Sequence, residues 1–124
     1  MPDGERLRVL LADDDEDLRE VAGLLFDHWG FDLTAVASGD DALAALAAAR
    51  FDVVVLDENM PRGNGIDVVE ARRAAGDTTP MVLWTGADRP LDADARARLA
   101  VTVVSKTDVQ ALARTVAELA AEVR

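Results

Sequence analysis

Apolar and polar positions along this chain switch repeatedly between two periods. An apolar segment, Leu7 to Ala12, runs into the acidic stretch Asp13-Asp14-Asp15-Glu16-Asp17. From there Leu18, Val21, Ala22, Leu25 and Trp29 recur at helical spacing and predict one buried stripe, closed by Gly30 as a left-handed cap. Leu33 to Val36 predicts a second strand, and Ser38-Gly39-Asp40-Asp41 resembles a capping box opening an Ala-rich helix through Leu43 and Leu46. The run Val53-Val54-Val55-Leu56 then leads into Asp57 and a Met60-Pro61 turn. Such an unbroken apolar run suits a strand buried on both faces. After a Gly63-Asn64-Gly65 loop, a helix is predicted from about Ile66 to Ala75, closed by Gly76. Pro80 introduces a strand from Met81 to Thr85, and Leu91 to Leu99 is a weakly patterned short helix. Val101 to Ser105 predicts a fifth strand. Val109 to Val123 predicts the last helix, with Val109, Leu112, Ala113, Val116, Leu119, Ala120 and Val123 in one stripe.

Strict alternation of apolar strands with helices predicts an α/β fold, (βα)5, with a parallel sheet covered by helices on both faces. Right-handed crossovers leave few topologies, among them the flavodoxin-like order 2-1-3-4-5. In that order the first and third strands are neighbours, so Asp13 and Asp14 share a crevice with Asp57. No repeat or internal linker interrupts the chain, and residues 1–124 are expected to form a single domain.

Composition narrows the function classes. The chain has no cysteine, which excludes disulfides and thiolate metal sites. No apolar run reaches the roughly 20 residues of a membrane span and no signal peptide precedes Leu7, so a soluble, cytoplasmic protein is expected. The net charge of −11 argues against contact with nucleic-acid phosphates.

Three carboxylates in one crevice repel one another and call for a cation. A hard divalent ion such as Mg²⁺ or Mn²⁺ binds through one or two carboxylates, waters and phosphate oxygens. Thr85 and Lys106 fall at the ends of the fourth and fifth strands, adding a hydroxyl and an ammonium to the same rim. Singly, each residue has a plainer explanation. The acidic run suits the positive end of a helix dipole, Asp57 ends a strand, Thr85 is a strand residue and Lys106 a solvated charge. Their shared register is what points to an anion-handling site beside a metal. Elsewhere, His28 is expected at the surface, Trp29 and Trp84 in or near the core, and Arg72-Arg73 as a solvated helix end.

The sequence resembles the response-regulator receiver domains of two-component signalling, the CheY-like family, over essentially its whole length. The resemblance is carried by Val9-Leu10-Leu11-Ala12-Asp13-Asp14-Asp15, Gly30-Phe31, Ala37-Ser38-Gly39 with Ala42-Leu43, Asp57-Glu58-Asn59-Met60-Pro61 with Gly65, Thr85-Gly86-Ala87, and Lys106. It implies that Asp57 accepts a phosphoryl group from a phosphohistidine of a sensor histidine kinase or histidine phosphotransfer domain. It implies further that Asp13, Asp14, Asp57 and the Asn59 carbonyl hold Mg²⁺ (or Mn²⁺), and that Thr85 and Lys106 bind the new phosphoryl group. Such a domain is not an enzyme on an external substrate; it catalyses only its own phosphorylation and dephosphorylation. Its implied partners are the kinase and a downstream effector or fused output domain, with no nucleic acid or membrane contact.

The sequence also departs from the family. Thr107 replaces a frequent proline after the lysine, Val103 replaces the switch aromatic, Glu58 adds an acid beside Asp57, and Arg62-Gly63-Asn64 replaces the usual loop. The Lys106–Thr107 bond is expected to be trans, with Thr107 or Asp108 capping the final helix. Two other classes remain open. A Mg²⁺-dependent hydrolase of the haloacid-dehalogenase kind needs a second acid where Asn59 stands; a receiver-like module signalling without phosphorylation is suggested by Val103 and Thr107.

Overall fold

In a computed structural model, residues 6–61, 63–86 and 93–123 are described. They form β1 (Arg8–Ala12), α1 (Glu16–His28), β2 (Asp32–Val36), α2 (Gly39–Ala48), β3 (Val53–Asp57), α3 (Gly65–Ala74), β4 (Met81–Thr85), α4 (Ala93–Leu99), β5 (Val101–Ser105) and α5 (Val109–Val123). The strands make one parallel sheet in the order β2-β1-β3-β4-β5, as expected. β3 lies in the middle and every one of its residues is buried.

Because side chains alternate across a strand, each strand feeds two cores. Leu10, Val54, Leu56, Met81 and Leu83 pack with Ala42 and Leu46 of α2, Val68 and Val69 of α3, and Leu99 of α4. Val9, Leu11, Val53, Val55, Val82 and Trp84 pack on the other face with Ala22 and Phe26 of α1 and Leu112, Ala113, Val116 and Ala120 of α5. Caps fix the helix starts. Asp15 Oδ1 accepts from the Asp17 and Leu18 amides at 3.0 and 3.3 Å, and Ser38 Oγ accepts from the Asp41 amide at 3.1 Å. Gly30 and Gly76, at φ 82° and 86°, end their helices in the left-handed conformation that lacks a Cβ penalty. Of the short helix expected over Leu91 to Leu99, residues 93–99 are seen, and Leu91 and Asp92 lie outside the described residues.

Three expectations are corrected. The buried face of α1 is centred on Leu18, Ala22 and Phe26, with Phe26 fully buried, whereas Val21 is 48% exposed. The apolar residues of α1 spread over a wide arc that includes Val21 and Leu24 (77% exposed), so helical spacing alone does not select which stripe turns inward. Trp29 is also a surface residue, 38% exposed, lying past the helix end against Phe31 with ring centroids 6.1 Å apart; Trp84 is fully buried as expected. Finally, Arg72 and Arg73 are not a solvated helix end. Arg73 donates to the carbonyls of Leu99 (2.7 Å), Asp77 (2.8 Å), Thr79 (2.8 Å) and Ala100 (3.2 Å), joining α3 to the end of α4. Arg72 Nε lies 3.0 Å from Asp77 Oδ2. Burial raises the Asp77 pKa, but the Thr79 hydroxyl and amide and the Arg72 guanidinium outweigh it and hold that carboxyl below its usual range. No helix among the described residues is long and apolar enough to cross a membrane.

Candidate functional site

Parallel strands all end on one side of the sheet, and there the expected residues meet. Ala12 of β1 is in register with Leu56 of β3, so the next residues, Asp13 and Asp57, stand side by side. Asp57 pairs with Trp84, which puts Thr85 one step further along the rim. Past β5, the Lys106 amide donates to the Thr85 carbonyl at 2.9 Å, which anchors the start of the following loop.

The carboxylates of Asp13, Asp14 and Asp57 each offer an oxygen within 4.8 Å of the others. Their environments differ. Asp13 is fully buried; its Oδ1 accepts from the Asp15 amide at 2.9 Å, and its carbonyl accepts from Arg19 Nη1 at 2.8 Å. Asp57 is buried at the strand end, and Asp14 is exposed at the mouth. Three oxygens of this kind, with one carboxylate open to solvent, fit a hard divalent cation that keeps part of its water shell.

Lys106 does more than the sequence suggested. Its ammonium lies over the Trp84 ring, with Nζ 5.2 Å from the ring centroid, and stands 2.8 Å from Asp13 Oδ2 and 3.0 Å from Asp57 Oδ1. One cation therefore bridges the two buried carboxylates. Burial works against the lysine charge, but the hydrogen bonds to Asp13 and Asp57 win and raise its pKa. For Asp57 the balance goes the other way. Burial, followed by the neighbouring Asp13 charge, raises its pKa, against the Lys106 ammonium and the Asn59 backbone N–H that donates to its carboxylate.

Asn59 is exposed beyond Asp57, and its backbone N–H is the part of the residue that reaches the carboxylate. Gly65 is fixed by proximity. A Cβ there would lie 2.4 Å from the Asp57 carbonyl oxygen and 2.8 Å from Leu83 Cδ2, so only glycine lets α3 begin this close to the strand end. Thr85 is buried, and its hydroxyl donates to Glu58 Oε2. That contact was not foreseen, although Glu58 stood out as an unusual acid at its position.

The exit from β5 matches the expectation for a chain without proline there. No cis bond occurs among the described residues, so Lys106–Thr107 is trans. A turn in which the Thr107 amide donates to Ser105 Oγ at 3.2 Å shapes the bend instead. Asp108 caps α5, accepting from the Ala111 amide at 3.0 Å. Val103 is half-buried and packs against the α2–α3–α4 side of the sheet.

Comparison with known proteins agrees with this geometry. The family profile described as "Response regulator receiver domain" matches residues 9–117. The "Probable transcriptional regulatory protein TcrX" of Mycobacterium tuberculosis is 35% identical over 86 residues, which cover 69% of this chain and 37% of that protein. The "DNA-binding response regulator MtrA" of Mycolicibacterium smegmatis is 37% identical over 90 residues, covering 73% of this chain and 39% of that protein. The matches thus span less than two-fifths of these relatives. The receiver domain of the Francisella response regulator 1452 superposes with a TM-score of 0.89 over 96% of this chain and 100% of that one, at 24% identity, a likeness of fold alone. On the match over residues 9–117 and the five-stranded order that accompanies it, this chain belongs to the response-regulator receiver domain family.

Proposed function

We propose that this chain is a phosphoacceptor switch in which Asp57 takes a phosphoryl group from a phosphohistidine of a sensor kinase or phosphotransfer domain. The observation that carries this reading is the convergence of Asp57, Asp13, Asp14 and the Lys106 ammonium on one rim. A carboxylate oxygen of Asp57 attacks phosphorus, an O–P bond forms as the P–N bond breaks, and the electron pair of that bond leaves on the imidazole. Burial makes Asp57 more basic than a solvated carboxylate, while Lys106 and the Asn59 N–H oppose its protonation. The Lys106 ammonium, already beside the nucleophile, shifts from Asp57 to an oxygen of the incoming group, and the Thr85 hydroxyl turns to a second oxygen. Asp13, Asp14 and Asp57, with the Asn59 carbonyl, would hold Mg²⁺ or Mn²⁺, which when bound neutralises charge on the non-bridging oxygens.

In this reading residues 1–124 act as one receiver unit in the cytoplasm. They catalyse only their own phosphorylation and dephosphorylation, and an effector or an output domain reads the result. One of these relatives is named a DNA-binding response regulator, but the −11 charge of this chain argues against nucleic-acid contact by the receiver itself. Incubation with acetyl phosphate and Mg²⁺, followed by intact mass measurement, tests the reading. A single phosphoryl adduct is expected, absent from Asp57→Asn. Donor turnover without an adduct would instead indicate a hydrolase, and no reaction a module that signals without phosphorylation.

A further inference from the structure

Glu58 is an acid beside Asp57 that phosphoryl transfer does not use, yet it accepts the hydrogen bond of the residue that transfer needs. Thr85 has a single hydroxyl proton, and its side chain is buried beside the crevice. The hydroxyl cannot fully serve Glu58 and an oxygen on Asp57 at once. We propose that Glu58 is a displaceable latch: it holds the Thr85 hydroxyl in the resting protein, and the phosphoryl group on Asp57 takes that hydroxyl from it. The inference rests on the phosphoacceptor reading of Asp57.

Charge drives the exchange. An acyl phosphate places nearly two negative charges one residue before Glu58, and like charges at this distance repel. Glu58 is half-buried, so on losing Thr85 its carboxylate has a short path to water. The released acid then stands beside the Met60-Pro61 turn as a new exposed charge. This supplies a moving side chain at the rim, which Val103, small and packed into the core, does not. Glu58 is therefore a positioning residue acting through Thr85, and in the resting protein it lowers the fraction of molecules competent to receive the phosphoryl group.

The test is a titration of the 124-residue chain with beryllofluoride in saturating Mg²⁺, read by fluorine NMR, for wild type, Glu58→Ala, Thr85→Val and the double variant. Removing a competing hydrogen bond to a charged acceptor should tighten Glu58→Ala about tenfold over wild type. In the Thr85→Val background, where no hydroxyl is left to release, the same substitution should change affinity by less than about twofold. Equal tightening in both backgrounds would mean that Glu58 acts only as a nearby charge, and the latch is overturned. Unchanged affinity in Glu58→Ala, with wild type binding normally, overturns it as well. Failure of wild type to bind beryllofluoride would instead overturn the phosphoacceptor reading, and the latch with it.

Discussion

Replacing Lys106 with methionine keeps an unbranched side chain of similar length and removes the ammonium that touches both Asp13 and Asp57. Removing one partner of a buried ion pair typically costs about 3–5 kcal/mol, because the remaining charge stays desolvated and unpaired. Here the carboxylate side chains are 0% and 9% exposed, but the lysine side chain is 20% exposed, so solvent screens part of the effect. A loss of about 2–3 kcal/mol follows. For a domain of this size that corresponds to a Tm lower by roughly 6–15 °C. The loss has a pH signature. The Lys106 pKa is raised in the fold, so its stabilisation is complete below its ordinary value of 10.5 and disappears as pH rises through the folded value. Wild type and Lys106→Met should therefore converge in strong alkali. Adding Asp57→Asn to Lys106→Met removes one of the stranded charges and should restore at least half of the stability. Urea unfolding at neutral pH in a chelator reads all three proteins. A Lys106→Met midpoint within about 0.5 kcal/mol of wild type would refute the bridging account.

Other consequences are as open to measurement. The folded Asp57 pKa lies above its ordinary 3.8, so the folded chain holds its proton to higher pH than the unfolded one, and this carboxylate lowers stability as pH rises through that window. Metal-free Asp57→Asn should thus unfold at higher urea than wild type at neutral pH, with the gap closing below pH 3.8. Mg²⁺ at ~100 times its dissociation constant should stabilise wild type by ~2.7 kcal/mol, and a calorimetrically bound ion that left Tm unmoved would contradict the relief of repulsion. Asp14→Ala should be more stable than wild type without metal and unable to accept phosphate. Arg73→Met should lose about 2–4 kcal/mol, since one guanidinium satisfies four carbonyls, two in the α3–β4 connection and two at the end of α4, and an unchanged urea midpoint would show those bonds to be incidental.

Much of this architecture is visible in the chain itself, for identifiable reasons. The bounds of β4, β5 and α5 agree with the apolar pattern because β-branched runs and a clean helical stripe leave little choice. The site residues were found because parallel strands bring their ends together, so that position in the chain becomes position on a rim. What escaped the sequence depended on rotation or reach. α1 carries leucine and valine on several sides, and only packing decides that Phe26 rather than Val21 is covered. The acceptors of Arg73 on Leu99 and Ala100 lie 26 and 27 residues away, beyond any local pattern. Lys106 was expected on the rim, but its ammonium bridging Asp13 and Asp57 above the Trp84 ring depends on reach that no local pattern shows.

The burial of β3 on both faces has a consequence for how long a phosphoryl group on Asp57 would survive. Segments that open easily bury few apolar contacts, whereas a central strand buried at every residue opens only with the whole domain. Amide hydrogen exchange of Val54 to Leu56 should report the global unfolding free energy. The nucleophile then has no local route by which it drifts from its place. Under the phosphoacceptor reading, water would reach the acyl phosphate past the rim, beside Glu58 and Thr85, and substitutions of Glu58 should tune its lifetime without loosening the fold.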